Sequence, residues 1–462
     1  MMFRLTPVLA ALALAGCAVG PDYVRPASPL PAAYGEAQPA GQPAAAVNAR
    51  WWTLFQDATL DGLVDQALNN NADLRQAIAR VDQAEAAARE AGAAFFPQID
   101  ASAGATNSKA STKSASFFPG LPTIRRSRSA ALTTSYEADV WGRVRRSTEA
   151  SRATLLASEY SRDAIRLSVA GLVASGYLSL RAYDAMLAVN AETLRTREES
   201  LKLVRTRTAA GLTSALDAYQ AEGALAAAQA QLSDLRRLRS LAEHQLALLT
   251  GNPDLKVPAG DLAQLPLPPL PPAGLPSDLI EARPDVRQAE AELIAANAQI
   301  GIAKAGYYPR FTLTGSLGSE SRTLADLFGA GSSTWALGLG LLMPVLDFGR
   351  TAARVDQAKA INQQSLVAWQ NALQVAYKEV RDALVSLREN GEAEAAQATR
   401  VDRARKALEL SRIRYEAGYV GYLEVLDAQR TLNDAEQAAI AVRQDRLASA
   451  VGLFKALGGG WK

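Results

Sequence analysis

Residues 310–321 read RFTLTGSLGSES and residues 333–345 read STWALGLGLLMPV. In the first stretch Phe311, Leu313, Gly315 and Leu317 alternate with Thr312, Thr314, Ser316 and Gly318. In the second, Trp335, Leu337, Leu339, Leu341 and Met343 alternate with Ala336, Gly338 and Gly340. A period of two marks a strand with one apolar face and one small or polar face. About ten residues per stretch suits a tilted strand crossing a bilayer. Alternation alone also fits a soluble antiparallel sheet packed on helices.

The same plan occurs earlier in the chain. Leu132, Thr134, Tyr136, Ala138 and Val140 alternate with Thr133, Ser135, Glu137 and Asp139, while Gln98 to Thr106 carries a weaker pattern of Ala and Ser. Landmarks around these segments repeat in order, roughly 210 residues apart. ADLRQA at 72–77 echoes PDVRQA at 284–289, and Phe95-Phe96-Pro97 echoes Tyr307-Tyr308-Pro309. Trp141-Gly142-Arg143 matches Phe348-Gly349-Arg350, and Arg207 with Gly211 matches Arg414 with Gly418. The spacing shortens by a few residues between the two sets, as when one loop is trimmed. The chain is a tandem duplication.

Each copy begins with an amphipathic helix, about 72–94 and 284–306, stopped at Pro97 or Pro309 because proline cannot continue a helix. Strands are expected at about 98–108 and 129–140, then at about 310–321 and 333–345. Helical hairpins follow over 143–250 and 349–457. Leu180, Leu187, Leu194 and Leu201 keep a seven-residue period, as do Leu387, Val401 and Leu408 with Glu394 interrupting. The return helices carry Leu225, Leu232 and Leu246, interrupted by Arg239, and Leu426, Ile440, Leu447 and Phe454. Such a period predicts a left-handed coiled-coil seam. At ~1.5 Å per residue the longest stretches reach about 100 Å, too long for a compact globule.

The chain start predicts a signal peptide over 1–16: Arg4 precedes an apolar run, Leu5 to Ala13, too short to span a bilayer. It ends in Leu14-Ala15-Gly16-Cys17, which resembles a bacterial lipobox. Cys17 is the only cysteine, so a covalent lipid accounts for it better than a disulfide. Multiple acyl chains on one terminus anchor stably. Residues 17–50, rich in Pro and Ala, read as an extended tether, and the first repeat spans 51–250. A Pro-rich connector covers 251–283, the second repeat 284–457 and a short tail 458–462.

Composition excludes much else. With 49 basic against 47 acidic residues there is no footprint for nucleic acid. One Cys and one His leave no set of metal ligands. After signal cleavage only Met186 and Met343 remain as thioethers, so a soft-metal path within this chain is poorly supported. No nucleophile elbow or phosphate loop occurs. Acid pairs such as Glu198-Glu199 read as solvated, and His244, among Leu241, Leu246, Leu248 and Leu249, reads as a helix-packing residue. Neither an enzyme nor a cofactor is expected, apart from the lipid on Cys17.

Four strands cannot close a barrel, and an open edge in lipid leaves backbone groups unsatisfied. Two chains would give eight strands and a filled interior; three would give twelve and an aqueous lumen. The reading is a membrane α+β fold: an internally duplicated homotrimer, its twelve-stranded barrel continued by long helices as a hollow tube.

The mature chain also resembles the TolC-like outer-membrane efflux proteins, in the lipoprotein branch serving resistance-nodulation-division pumps. The resemblance is carried by Cys17-Ala-Val-Gly-Pro-Asp-Tyr23, Trp51-Trp52 with Phe55 and Asp57, and Arg283-Pro284-Asp285-Val286. Tyr308-Pro309, Pro344 with Asp347 and Gly349-Arg350, and Leu426-Asp427-Ala428-Gln429 complete it. It implies a homotrimer in the outer membrane, a periplasmic helical barrel and an equatorial domain built from about 20–70, 251–283 and Gly458 to Trp461. It also implies two partners, a periplasmic adaptor and an inner-membrane pump whose small-molecule substrates leave passively through the duct. A type I protein-secretion duct shares the architecture. A periplasmic coiled-coil lipoprotein scaffold is a further alternative.

Two turns join the long helices: Gly211-Leu212-Thr213-Ser214, with Asp217 beyond, and Tyr415-Glu416-Ala417-Gly418-Tyr419-Val420, followed by Tyr422, Glu424 and Asp427. Glycine there suits a left-handed helix C-cap. The resemblance makes these turns the periplasmic tip, where the tunnel closes and the adaptor docks, with Tyr415 and Asp427 facing neighbours or the lumen. Val420 stands where some relatives carry an arginine latch, so this gate is expected to be weaker or differently built. Trp141-Gly142 and Phe348-Gly349 mark the strand-to-helix junctions.

Overall fold

The structure, a computed structural model, describes residues 18–28, 30–31, 50–113, 120, 122–269 and 283–459. The signal peptide, the lipobox with Cys17, most of the tether, residues 270–282 and Trp461 lie outside the described residues. Among those described, the helices are α1 (Ala58–Asn70), α2 (Ala72–Ala93), α3 (Arg143–Ala209), α4 (Ala215–Thr250), α5 (Pro284–Ala305), α6 (Arg350–Glu416) and α7 (Tyr422–Ala456). The strands are β1 (Gln98–Lys109), β2 (Ile124–Ala138), β3 (Arg310–Ser321) and β4 (Ser333–Leu342). No described helix is long and apolar enough to cross a membrane.

Two compact units appear, and neither follows the repeat boundaries. One takes the described residues of Met1–Ala27, Arg80–Ser158 and Gln288–Trp369; the other takes those of Ser28–Ala79, Glu159–Arg287 and Gln370–Lys462. Each repeat contributes to both.

The first unit holds a single antiparallel sheet in the order β1-β2-β3-β4. Its register sorts the side chains cleanly. Ala101, Leu132, Leu317 and Trp335 share one rung, and Phe311 and Leu313 lie opposite Leu341 and Leu339. The other face carries Asp100, Ser102 and Thr106 from β1, Thr133 and Ser135 from β2, and Thr312, Thr314 and Ser316 from β3. β1 thus alternates fully once its partners are known; alanine in place of a larger residue had weakened the pattern. β2 starts earlier than expected, at Ile124, because Ile124 to Arg128 extend the ladder opposite Lys109 to Ala105. β4 stops at Leu342 rather than 345, two residues before Pro344, which has no N–H to donate.

The described start of the tether is pinned at residues 19–23. Val19 N–H donates to Trp141 O at 3.0 Å, and Asn297 Nδ2 donates to Pro21 O at 2.9 Å. Asp22 pairs with Arg146 at 2.6 Å, and Tyr23 Oη donates to Glu290 at 3.1 Å. A Cβ on Gly20 would lie 2.5 Å from Gly301 Cα, so only glycine lets these backbones meet.

In the second unit the seven-residue seam is buried or half-buried along its length, with Leu180, Leu201, Leu246, Leu387, Leu408, Leu447 and Phe454 buried. Trp51 stacks on Phe454 at 5.4 Å and meets Trp52 edge-on at 5.8 Å. Asp57 caps α1, accepting from Thr59 and Leu60 N–H, and also accepts from Tyr177 Oη at 2.6 Å. Burial first, then that carboxylate, pushes the Tyr177 pKa up to about 12, so the phenol stays a donor. His244 is exposed on α4 rather than packed: it lies one position beyond the face that buries Glu243, Leu246 and Ala247.

Candidate functional site

Three places carry the side chains that sequence marked. The first is the pair of strand-to-helix junctions, where the chain reverses its hydrogen-bonding habit from ladder to helix. Trp141 Nε1 donates to Pro309 O at 2.9 Å and the indole stacks on Tyr308 at 4.7 Å, so the two repeats brace each other here. Asp139 accepts from Val144 and Arg145 N–H, both at 2.9 Å, satisfying orphan donors at the start of α3. Asp347 does the same for Gly349 and Thr351 before α6. Gly142 and Gly349 have φ of 77° and 84°, and Phe348 is held at 53°, an uncommon conformation for a bulky residue. Pro97 sits exposed just before β1.

The second place is the pair of helix-to-helix turns. At each, one N–H bonds back five residues: Leu212 to Arg207 O and Tyr419 to Arg414 O, both at 2.9 Å. Gly211 and Gly418 (φ 72° and 83°) take the left-handed position such a stop requires. Thr213 donates its hydroxyl to Asp217, and Ser214 Oγ accepts from Asp217 N–H at 3.4 Å, capping α4. Leu212, Leu216, Tyr219, Tyr419 and Leu423 are exposed apolar residues around the two turns.

Tyr415 and Tyr422 do not point outwards. Both are buried with ring centroids 5.9 Å apart, in a cluster with Leu201, Val204, Ala221, Leu408 and Val425. Their position corrects the expectation that Tyr415 faces neighbours or the lumen; it sits on the seam of α6, where apolar packing claims it. Asp427, Glu424, Glu416 and Tyr419 are exposed, and Val420 packs against the cluster. Glu424 pairs with Arg414 at 3.0 Å and Asp427 with Arg430 at 2.8 Å.

Arg207 joins the two turns, a link that the sequence reading does not single out. Its guanidinium lies 4.7 Å over the Tyr415 ring and reaches Tyr415 O and Glu416 O, each at 3.4 Å. A cation on the last carbonyls of α6 also meets the negative end of that helix. The sequence signal was Arg207's equivalence to Arg414, but that repeat partner binds within its own hairpin, whereas Arg207 ties one hairpin to the other.

The third place is the connector. Asp184, nearly fully buried, bonds Arg181 at 2.5 Å and Arg239 at 2.6 Å and accepts from Gly260 N–H at 3.1 Å. Arg181 and Arg239 donate to Pro258 O and Val257 O, and Arg443 donates to Leu265 O at 2.7 Å. The two residues that broke the seven-residue period are therefore ionic anchors: Arg239 here, and Glu394, which pairs with Arg443 at 3.0 Å and Arg446 at 2.5 Å. Burial pushes Glu243 up, yet Val257 N–H, Lys256 and Arg239 outweigh it and hold the carboxyl below its usual range. Glu394 is likewise raised by burial but held low by Arg446 and Arg443.

Depressed carboxylates stabilise the fold above their unfolded value, about 4.3, and lose that contribution as pH falls through the lower folded values. Melting points should therefore stay level from neutral pH to about 5 and drop below about 4. Replacing both, Glu243→Gln with Glu394→Gln, should flatten this acid limb; an identical limb in the variant would contradict the assignment.

Among the described residues no group of acidic, Cys or His side chains is placed to hold a metal ion. The model of the family described as outer membrane efflux protein matches residues 63–252 and 275–459. The chain belongs to this family. Solvent efflux pump outer membrane protein SrpC of Pseudomonas putida is 34% identical over 471 residues, spanning 100% of this chain and 99% of its own. Cation efflux system protein CusC of Escherichia coli O6:H1 is 34% identical, spanning 99% of each. Crystal structures of CusC superpose with a TM-score of 0.87 at 32% identity, covering 96% of this chain and 100% of that one. The open state of the Neisseria gonorrhoeae MtrE outer membrane channel gives 0.84 at 29% identity, covering 96% and 98%. As a member of the outer membrane efflux protein family, the chain is an outer-membrane component of an efflux system, in a family of channels rather than enzymes.

Proposed function

We propose that three copies of this chain close a twelve-stranded barrel and form a passive exit duct for small molecules. One observation carries this reading: a four-stranded sheet whose edges are open among the described residues, with all its large apolar side chains but Leu342 on one face. Trp335, Leu337 and Leu339 are 75%, 82% and 72% exposed, which no sheet packed on helices would leave. In lipid, β1 and β4 need partners for their outer backbone groups, since each one left bare costs several kcal/mol. A sister β4 beside β1 supplies them, and twelve strands leave an aqueous lumen lined by the Thr, Ser and Gly face.

An acyl group on Cys17 anchors the chain to the outer membrane, and Val19 and Pro21 beyond it are bonded to Trp141 and Asn297. The two turns are the periplasmic tip. Leu212, Leu216 and Leu423 offer apolar contacts to a periplasmic adaptor, with Gly211, Thr213, Ser214 and Asp217 shaping the outer turn. The adaptor links the tip to an inner-membrane resistance-nodulation-division pump, which supplies the energy and selects the cargo. Arg207 serves as the latch that Val420 lacks, and Glu416, Tyr419, Glu424 and Asp427 ring the constriction.

Purified protein in planar bilayers should give small, mostly closed channels. Removing acidic charge with Glu424→Ala and Asp427→Ala should enlarge them. The Arg207→Ala variant loses a cation–π contact worth on the order of 1 kcal/mol, which corresponds to roughly a fivefold rise in open probability. Absence of channels in every variant would contradict the duct.

A further inference from the structure

At the end of the sheet away from the helix junctions, one face changes from apolar to cationic within three rungs. Ala101, Ala103 and Ala130 leave a shallow floor between Leu132, Leu317 and Phe328, bounding a depression of about 550 Å3. These strand side chains all share the apolar face. One rung beyond the Ala103–Ala130 pair comes Arg128, then Arg126 opposite Asn107, then Lys109 opposite Ile124, again on that face. Rungs on one face are separated by about 7 Å.

Among the described residues none of these three cations has a carboxylate partner. Arg128 donates one nitrogen to Asn107 Oδ1 at 3.1 Å and to the carbonyls of Ser127 and Thr106 at 2.9 and 3.4 Å. Glu320, on the adjoining strand, lies on the opposite face, where it accepts from Ser127 Oγ at 2.7 Å. A polar lumen would suit solvated cations; here they stand on the lipid side, directly above an apolar trough.

We propose that this trough and its cations bind a phosphate-bearing lipid of the outer leaflet, acyl chain against Ala103, Ala130 and Phe328, phosphates on Arg128, Arg126 and Lys109. Charge complementarity fixes the headgroup class, since guanidinium groups take phosphate oxygens in charge-assisted pairs. Continuity of the cations with the apolar band fixes the source as lipid. The site rests on the barrel reading above.

The test uses detergent-purified full-length protein and two probes, a bis-phosphorylated glucosamine lipid and the same lipid without phosphates, with retention read by native mass spectrometry. Wild type should retain the phosphorylated lipid about tenfold better or more, the scale of one or two charge-assisted contacts. Lys109→Gln with Arg126→Gln and Arg128→Gln should remove that preference and leave the phosphate-free lipid unchanged, while Ala103→Trp should lower retention of both. Excess inorganic phosphate should not displace the lipid; complete displacement would assign the cations to free phosphate and overturn the lipid site. Conducting trimers that retain both lipids equally would overturn the site and leave the duct standing. Protein that neither assembles nor conducts would overturn both.

Discussion

Leu339→Arg is expected to abolish the assembled protein. Leu339 stands mid-way along β4 on the face shared with Leu313 and Phe311, exposed in the single chain and facing hydrocarbon in the proposed barrel. An arginine near the midplane of a membrane barrel costs about 2–4 kcal/mol. Three copies repeat the penalty, for roughly 6–12 kcal/mol per assembly, comparable with the whole stability of a typical domain. Thr314→Arg provides the contrast. Thr314 lies on β3 opposite Ser135 and Gly338, on the polar face, with the glycine leaving room beside it. Its arginine should be tolerated by assembly and alter only ion selectivity. Heat-modifiable, detergent-resistant oligomer in outer-membrane fractions should disappear for Leu339→Arg and persist for Thr314→Arg. Equal yields would mean that the two faces do not differ in solvent.

The second large effect concerns the connector. Asp184→Ala leaves Arg181 buried without its carboxylate and removes the acceptor for Arg239 and Gly260 N–H. Removing one partner of a buried ion pair costs about 3–5 kcal/mol, chiefly because the remaining charge is stranded. The melting point should fall by roughly 10 °C. Combining Asp184→Leu with Arg181→Met should recover most of that loss, since a buried pair is often replaceable by apolar residues of similar volume. An unchanged melting point in the single variant would show that the network is not structural.

The same residues indicate how far the sequence could be read. Phe311 to Leu341 disclosed their strands because period-two alternation survives without knowledge of partners. Pro97, Pro309, Gly211 and Gly418 disclosed breaks because their backbone chemistry is local. β1 was harder: Ala against Ser is a weak contrast until Leu132 and Thr133 are placed opposite. The cationic start of β2 carries no strand signal, since alternation of Arg with Ser has no apolar member. Asp184 and Arg207 are hidden for another reason: apart from Arg181 their partners are remote in sequence, and only packing brings Arg239 to one and Tyr415 to the other. Arg239 and Glu394 did leave a trace, as charges at positions where the seven-residue period called for an apolar residue. Tyr415 owes its expected display to the resemblance alone, while its place seven residues after Leu408 on the seam dictates burial.

The claim on which the rest depends is that this chain completes its barrel with copies of itself. Native mass spectrometry of the full-length protein, extracted from outer membranes in mild detergent, measures this directly. A mass of three chains is the predicted result. A single chain, stable and β-containing in detergent with its sheet edges unpaired, would contradict it.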